Sequence, residues 1–380
     1  MSDPKDPWLL TPGPLTTSTT VKQSMLRDWG SRDQEFIAIN ARMRARLVEL
    51  LHGEGSFVTV PMQGSGTFAV EAMLGSFVPK TGKLLILING AYGKRMAKIC
   101  DYYGRAYGVI EVAEDKPIEP AAVAKALAAD PAITHVTVVH CETTSGVLNP
   151  VAEIAAAVAA DGRRLLVDAM SAFGAIPLDA REIAFDAVAA SSNKCIEGVP
   201  GLGVVICREA ALAQCKGNAP SLSLDLYDQW QVLEKTQQYR FTPPIHCIVA
   251  FETALAEHAA EGGVAGRGAR YRNNCRLLVE GMRALGFQTL LPDRLQAPII
   301  VTFHMPADPK FVFQTFYDRL RDRGFVIYPG KLTVADSFRI GCIGRLGEAE
   351  MRGAIDAVRA VMAELGVGSG APRQPLAAIA

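Results

Sequence analysis

Between residues 83 and 207 the chain alternates two hydrophobic rhythms. One is a series of short, almost unbroken apolar runs: KLLILIN (83–89), YGVIEVA (107–113), THVTVVH (134–140), RRLLVDA (163–169), FDAVAAS (185–191) and GLGVVIC (201–207). Apolar runs without strict alternation predict strands covered on both faces. The other rhythm is Ala-rich and helical, as in EPAAVAKALAAD (119–130) and VAEIAAAVAADG (151–162). Alternation of the two predicts a mostly parallel sheet inside an α/β/α sandwich, with its ligand site beyond the carboxyl ends of the strands.

The C-terminal third has a different rhythm. A long helix (268–286) precedes a strand (297–305), a helix (309–323), two strands (324–330 and 337–343) and a last helix (347–365). This predicts a second, smaller α/β domain with its own sheet. The Gly-rich, polar stretch EHAAEGGVAGRG at 256–267 is where the boundary is expected. The expected division is 1–260 for the N-terminal segment and large domain, 261–366 for the small domain, and 367–380 for a loose tail.

Composition narrows the classes. A chain of 380 residues, 49% hydrophobic, is long enough for two domains and a large core. Lys plus Arg and Asp plus Glu each number 39, so no net field draws the protein to nucleic acid or an anionic membrane. An anionic ligand must therefore be held by a few placed cations or helix ends. The eight cysteines show no CxxC spacing and form no ligand cluster with the six histidines, which argues against disulfides and structural zinc. Metal is not expected. No stretch approaches the roughly 20 apolar residues of a membrane span, and the N-terminus lacks a signal-peptide pattern, so the expectation is a cytoplasmic protein.

Four groups converge on one rim of the predicted sheet. Lys194 follows the run 185–191, and Asp168 ends the run 163–169. The spacing between them suits one crossover, which predicts neighbouring strands pointing into one crevice. Thr143, in HCETTSG, follows the strand before them. Gly64-Ser65-Gly66-Thr67 opens a helix whose free N–H groups and hydroxyls can seat a phosphate. Each has a plain structural alternative: a solvated lysine, a capping aspartate, a turn threonine, an ordinary helix start. Together they meet the needs of pyridoxal phosphate: an amine for its aldehyde, a carboxylate for its ring nitrogen and a seat for its phosphate. Thr143 could meet the phenolic oxygen. Tyr92, after the strand 83–89, stands where an aromatic would stack on the ring, although an ordinary aromatic in a Gly-rich turn reads the same way.

Longer motifs carry a resemblance. From LLTPGPLTTSTTVKQSMLRDWGSRD (9–33), through VPMQGSGTFAVEAMLGS, HVTVVHCETTSGVLNP, VDAMSAFGAIP, SSNKCIEGVPG, SLSLDLYDQW, YRFTPP and GFVIYPGKLT, to FRIGCIGRL (338–346), the chain resembles the 2-aminoethylphosphonate–pyruvate aminotransferases. These belong to the class V, fold type I pyridoxal-phosphate enzymes. ETTSG, where a third Thr is common, and GLGVVI, where aromatics are common, depart slightly from the pattern. The resemblance implies transfer of an amino group from 2-aminoethylphosphonate to pyruvate by ping-pong kinetics, giving phosphonoacetaldehyde and alanine in phosphonate degradation. It implies Lys194 as the cofactor lysine and Asp168 as the ring-nitrogen partner. Ser65, Gly66 and Thr67 become phosphate contacts, Asn193 a further one, and Tyr92 the stacking aromatic. Thr242 would reach the cofactor of a neighbouring subunit, hence a homodimer, and Arg339 would anchor the substrate's anionic end.

Three other readings share these residues. An alanine- or serine–glyoxylate aminotransferase differs only where the substrate end is lined. A lyase or desulfurase would need a nucleophilic cysteine, for which Cys195 and Cys141 are the nearest candidates. A non-catalytic homologue would be expected to lack Lys194 or Asp168, and both are present. Arg32, Arg95 and Arg240 are further basic candidates for the phosphonate.

Overall fold

The computed structural model describes residues 6–332 and 336–372. Its centre is a seven-stranded sheet in the order Phe57–Gln63, Leu202–Arg208, Ala187–Ser191, Arg164–Asp168, Ile133–Val139, Lys83–Ile88 and Ala106–Glu111. Only Leu202–Arg208 runs against both its neighbours; the other pairings are parallel. Side chains alternate between two layers, as the period of a strand requires. Leu165 and Val167 join one core with the helices Gln34–Glu49, Pro120–Ala129, Val151–Ala160 and Ile245–Ala260. Leu166 joins the other with Gly66–Phe77, Ala91–Tyr103 and Leu226–Thr236. Every residue of AVAAS in Ala187–Ser191 is buried, and its small side chains let helices close down on the sheet.

Each of the six expected strands between 83 and 207 is present. The strand Phe57–Gln63 was not among them. Its run FVTVPMQ contains Pro61, which cannot donate to a ladder on both sides. The sheet order resolves this, because the strand lies at an edge and pairs only with Leu202–Arg208.

The C-terminal unit is a three-stranded antiparallel sheet of Ile300–His304, Ser337–Gly341 and Tyr328–Pro329. An aromatic core backs it, with Phe303 and Phe338 stacked at 5.6 Å. The expected strand 324–330 is in fact two: Phe325–Val326 pairs in parallel with Trp8–Leu9, and Tyr328–Pro329 joins the three-stranded sheet. The N-terminal segment thus divides between the two units, Trp8–Leu9 pairing with the C-terminal one and Val21 packing into the large core. Leu10 packs into the C-terminal aromatic core, and its chain then crosses to the large sheet.

The two units are also joined by helix Gly263–Ala284. Tyr271 packs with Cys195 of the large sheet, whereas Leu277, Leu278 and Met282 belong to the small core. The tail expected to be loose from 367 is held at its start. Val367 is buried, Gly370 N–H bonds to Leu285 O at 2.9 Å, and Ala307 N–H bonds to Ala371 O at 2.8 Å. Residues 373–380 lie outside the described residues. No helix among the described residues is long and apolar enough to cross a membrane.

Candidate active site

Parallel pairing sets Asp168 opposite Ala189, so the strands ending at Asp168 and Ser191 run out side by side. Lys194 follows the second. The helix Gly66–Phe77 begins just across from them, held tightly to the sheet. A Cβ on Gly203 would come within 2.8 Å of Ala69 Cβ, so glycine there is what permits the approach. Ser65, Gly66, Thr67, Tyr92, Asp168, Asn193 and Lys194 line one cleft of about 620 Å³. Seven of the sequence-predicted residues are thus brought together, along with Val70, Arg95, Met170 and Ser191.

Lys194 is half-buried, and desolvation pulls its ammonium down to about 8 against the weaker opposing influence of Cys195 and Asp168. Its Nζ donates to the carbonyl oxygen of Pro12 at 2.6 Å. Gly13 makes room for that contact: its φ is +126°, and a Cβ there would stand 2.5 Å from Nζ. Asp168 is 3% exposed and burial raises it to about 6, partly offset by the Met170 N–H that donates to Oδ1 at 3.0 Å. Desolvation thus shifts the Asp168 carboxyl up and the Lys194 amine down, each toward its neutral form.

The helix start carries donors with no internal use. Ser65 occupies the N-cap without a side-chain bond to the helix; the Phe68 N–H turns back to Ser65 O at 3.0 Å, leaving the Gly66 and Thr67 N–H groups for a ligand. Thr67 Oγ1 accepts from Arg95 Nη1 at 3.0 Å, and the Arg95 guanidinium lies 4.9 Å from the Tyr92 ring centroid. Ser191 Oγ is buried with no partner among the described residues.

Glu142 organises the Tyr92 side. This fully buried carboxylate accepts from the Tyr92 N–H at 3.2 Å through Oε2, and from Thr144 N and Oγ1 at 3.0 and 2.6 Å through Oε1. It thereby caps the helix Ala91–Tyr103 and fixes where Tyr92 starts it. Sequence reasoning drew only Thr143 from HCETTSG. Thr143 does not line the cleft; it is buried, and its carbonyl accepts from Arg339 Nη1 at 2.7 Å. Arg339 Nε donates to Pro329 O at 3.2 Å, and its charge is felt at Lys194. The guanidinium is buried, and desolvation lowers its pKa.

Thr242 stands apart from these groups. It is exposed, in a groove with Gln63, Gly64 and Phe68 on the outer side of the segment that opens the phosphate-seat helix. Arg240 is spent on the Leu222 carbonyl (2.6 Å) and Asp228 (3.4 Å). Cys195 and Cys141 are fully enclosed, and burial raises both thiols, Cys141 to about 12. Neither is a thiolate at neutral pH, which removes the nucleophile that a desulfurase reading requires.

The family model for class-V aminotransferases matches residues 16–318. The chain belongs to the class-V aminotransferase family. A 2-aminoethylphosphonate–pyruvate transaminase of Burkholderia lata is 55% identical over 95% of this chain and 96% of its own length. One of Cupriavidus necator is 54% identical over 97% of both chains. Among solved structures, the pyridoxamine–pyruvate aminotransferase of Mesorhizobium loti superposes with a TM-score of 0.87 at 26% identity, covering 97% of this chain and 96% of that one. The large, mostly parallel sheet is the one expected from the apolar runs, and fold type I is the architecture that the resemblance to this family implied.

Proposed function

We propose that this aminotransferase moves the amino group of 2-aminoethylphosphonate to pyruvate, using pyridoxal phosphate held in the cleft around Lys194. The observation that carries the reading is the near full-length identity, above half, to relatives that bear this activity in their names, joined to Lys194 and a buried Asp168 in one cleft at the ends of adjoining strands. The residues fit the cofactor. The uncapped start of Gly66–Phe77 suits its phosphate, with Ser65, Gly66, Thr67 and Asn193 around it. The partnerless Ser191 hydroxyl offers a further polar contact. Asp168 would pair with the ring nitrogen, and Tyr92 would cover the ring's face.

When bound, pyridoxal phosphate supplies an aldehyde that takes up amines and a ring that draws electrons from the adjacent carbon. The protein's part is to place and move protons. Lys194 has a nitrogen whose change of charge desolvation brings down to about 8, so it would serve to take a proton from the substrate carbon next to nitrogen and to give one back. The Pro12 carbonyl gives that nitrogen a fixed direction. Asp168, when ionised, would hold the proton of the cofactor's ring nitrogen. Arg339, steadied by the Thr143 and Pro329 carbonyls, presents its remaining N–H groups to the phosphonate of one substrate and the carboxylate of the other. Thr143 thus contributes through the guanidinium it holds.

A homodimer completes the reading. Thr242 lies in a groove bordered by the half-exposed rings of Phe68 and Phe241, and Leu222 is exposed nearby. Exposed apolar groups of this kind suit an interface, through which Thr242 would reach the phosphate seat of a second copy.

The test is direct. Purified protein with pyridoxal phosphate, 2-aminoethylphosphonate and pyruvate is expected to form alanine and phosphonoacetaldehyde in equal amounts. Faster turnover of serine with glyoxylate, or none with aminoethylphosphonate, overturns the assignment. Thr242→Ala is expected to weaken cofactor retention at protein concentrations that keep the dimer.

A further inference from the structure

Lys331 begins the link between the strands Tyr328–Pro329 and Ser337–Gly341. The Gly330 N–H closes that ladder on Ser337 O at 2.9 Å, and a side chain at Gly330 would collide with Ser337. Tyr328 pairs with Arg339 across the ladder, so Lys331 follows the edge strand that lies beside the central strand carrying the guanidinium. Its Nζ lies 4.6 Å from the centroid of the Tyr92 ring. Both cations of this small sheet thus lie near Tyr92, which lines the cleft.

These two cations share one acidic neighbour, Glu142. Both oxygens of that carboxylate already accept from Thr144 and from the Tyr92 N–H. Burial, Arg95 and Arg339 all depress the Lys331 ammonium, and Arg339 and Lys331 both depress Lys194. Like charges gathered in a half-buried place destabilise one another unless an anion joins them.

The shape of the anion decides how many cations it needs. A carboxylate is planar, and one guanidinium fork meets both of its oxygens. A phosphonate is tetrahedral, with a third oxygen outside any plane the fork can occupy, and near neutral pH it carries more than one negative charge. A compact ammonium suits that third oxygen better than a second fork. We propose that Lys331 is the specificity residue for the phosphonate, binding the third oxygen that Arg339 cannot reach and contributing little to pyruvate. This rests on the aminoethylphosphonate reading above.

The test uses the cofactor-loaded enzyme and its Lys331→Met and Lys331→Arg variants. Binding of ethylphosphonate and of propionate, which lack the reacting amine, is measured by calorimetry, and each half-reaction is followed separately by visible absorbance. Lys331→Met is expected to weaken ethylphosphonate at least tenfold and propionate less than threefold. The aminoethylphosphonate half-reaction should lose kcat/KM in step, and Lys331→Arg should restore part of the loss. Equal losses for both anions, or none, overturn the inference and leave Lys331 as a prop for Tyr92. Failure of the unaltered enzyme to react with aminoethylphosphonate would instead overturn the functional reading beneath it.

Discussion

The Tyr271 hydroxyl donates to Glu197 Oε1 at 2.5 Å. Glu197 is held in turn by its own N–H on Lys194 O at 2.7 Å, so this phenol steadies the loop carrying the reactive lysine. Arg270 reaches the same oxygen at 2.7 Å and the carbonyls of Gly344 and Leu346 at 2.6 and 2.8 Å. Arg267, wholly buried, lies 3.5 Å from Glu197. Glu197→Ala removes one of the two acids these arginines share, the other being Glu261 at 2.8 Å from Arg267 and 2.7 Å from Arg270, and is expected to cost about 1.5–3 kcal/mol. Tyr271→Phe removes one buried hydroxyl and should cost about 1–3 kcal/mol. Urea unfolding of both variants measures the difference, and a loss below about 1 kcal/mol for Glu197→Ala would show that the cluster is not stabilising.

Asp168 makes the empty cleft unstable. Burial raises its carboxyl from 3.8 to about 6, so at neutral pH the folded chain carries a charge it would shed if it could. A raised acid contributes stability below its unfolded pKa and loses it as pH rises through the folded value. Asp168→Asn is therefore expected to stabilise the cofactor-free protein at pH 7 by up to about 3 kcal/mol, taking about 1.4 kcal/mol per pH unit. The advantage should shrink toward zero as pH falls from 6 to 4. Thermal unfolding across that range checks it. The same variant should abolish turnover.

Lys194 sets a different pH dependence. Its amine is reactive only when neutral, and burial brings the change of charge down to about 8. Cofactor uptake by the cofactor-free protein is expected to accelerate with pH up to about 8 and then level off. An ordinary lysine would go on gaining to beyond pH 10. Stopped-flow absorbance between pH 6 and 10 distinguishes the two.

Arg339→Lys tests the anchor. An ammonium cannot satisfy the Thr143 and Pro329 carbonyls and still present a fork to an anion. Use of both aminoethylphosphonate and pyruvate should fall about 10- to 100-fold in kcat/KM, with the cofactor still bound. Unchanged affinity for both would remove Arg339 from the substrate site.

The readable part of this protein is the part governed by local periodicity. Buried parallel strands announce themselves as apolar runs, and crossover length places Asp168 beside Lys194, as the register shows. What could not be read depends on contacts between distant positions. Nothing in residues 9–14 predicts that the Pro12 carbonyl meets an amine 182 positions later. Nor does the sequence around Glu142 show that its carboxylate accepts from the Tyr92 N–H in the first turn of Ala91–Tyr103. The edge strand escaped because Pro61 breaks the propensity on which strand reading relies. Lys331 was visible within GFVIYPGKLT, but only the hairpin's register brings it beside Arg339.

Pairing of Trp8–Leu9 with Phe325–Val326 sets the order of the protein's birth. Residues 8 and 9 must wait for residues 325 and 326 before they have a strand to lie against. Domains whose partners are adjacent in sequence can settle during synthesis, but this one cannot close that pairing until residue 326 has been made. The carbonyl that steadies the lysine belongs to that waiting segment, so a chain cut short before residue 325 would carry Lys194 without its keeper.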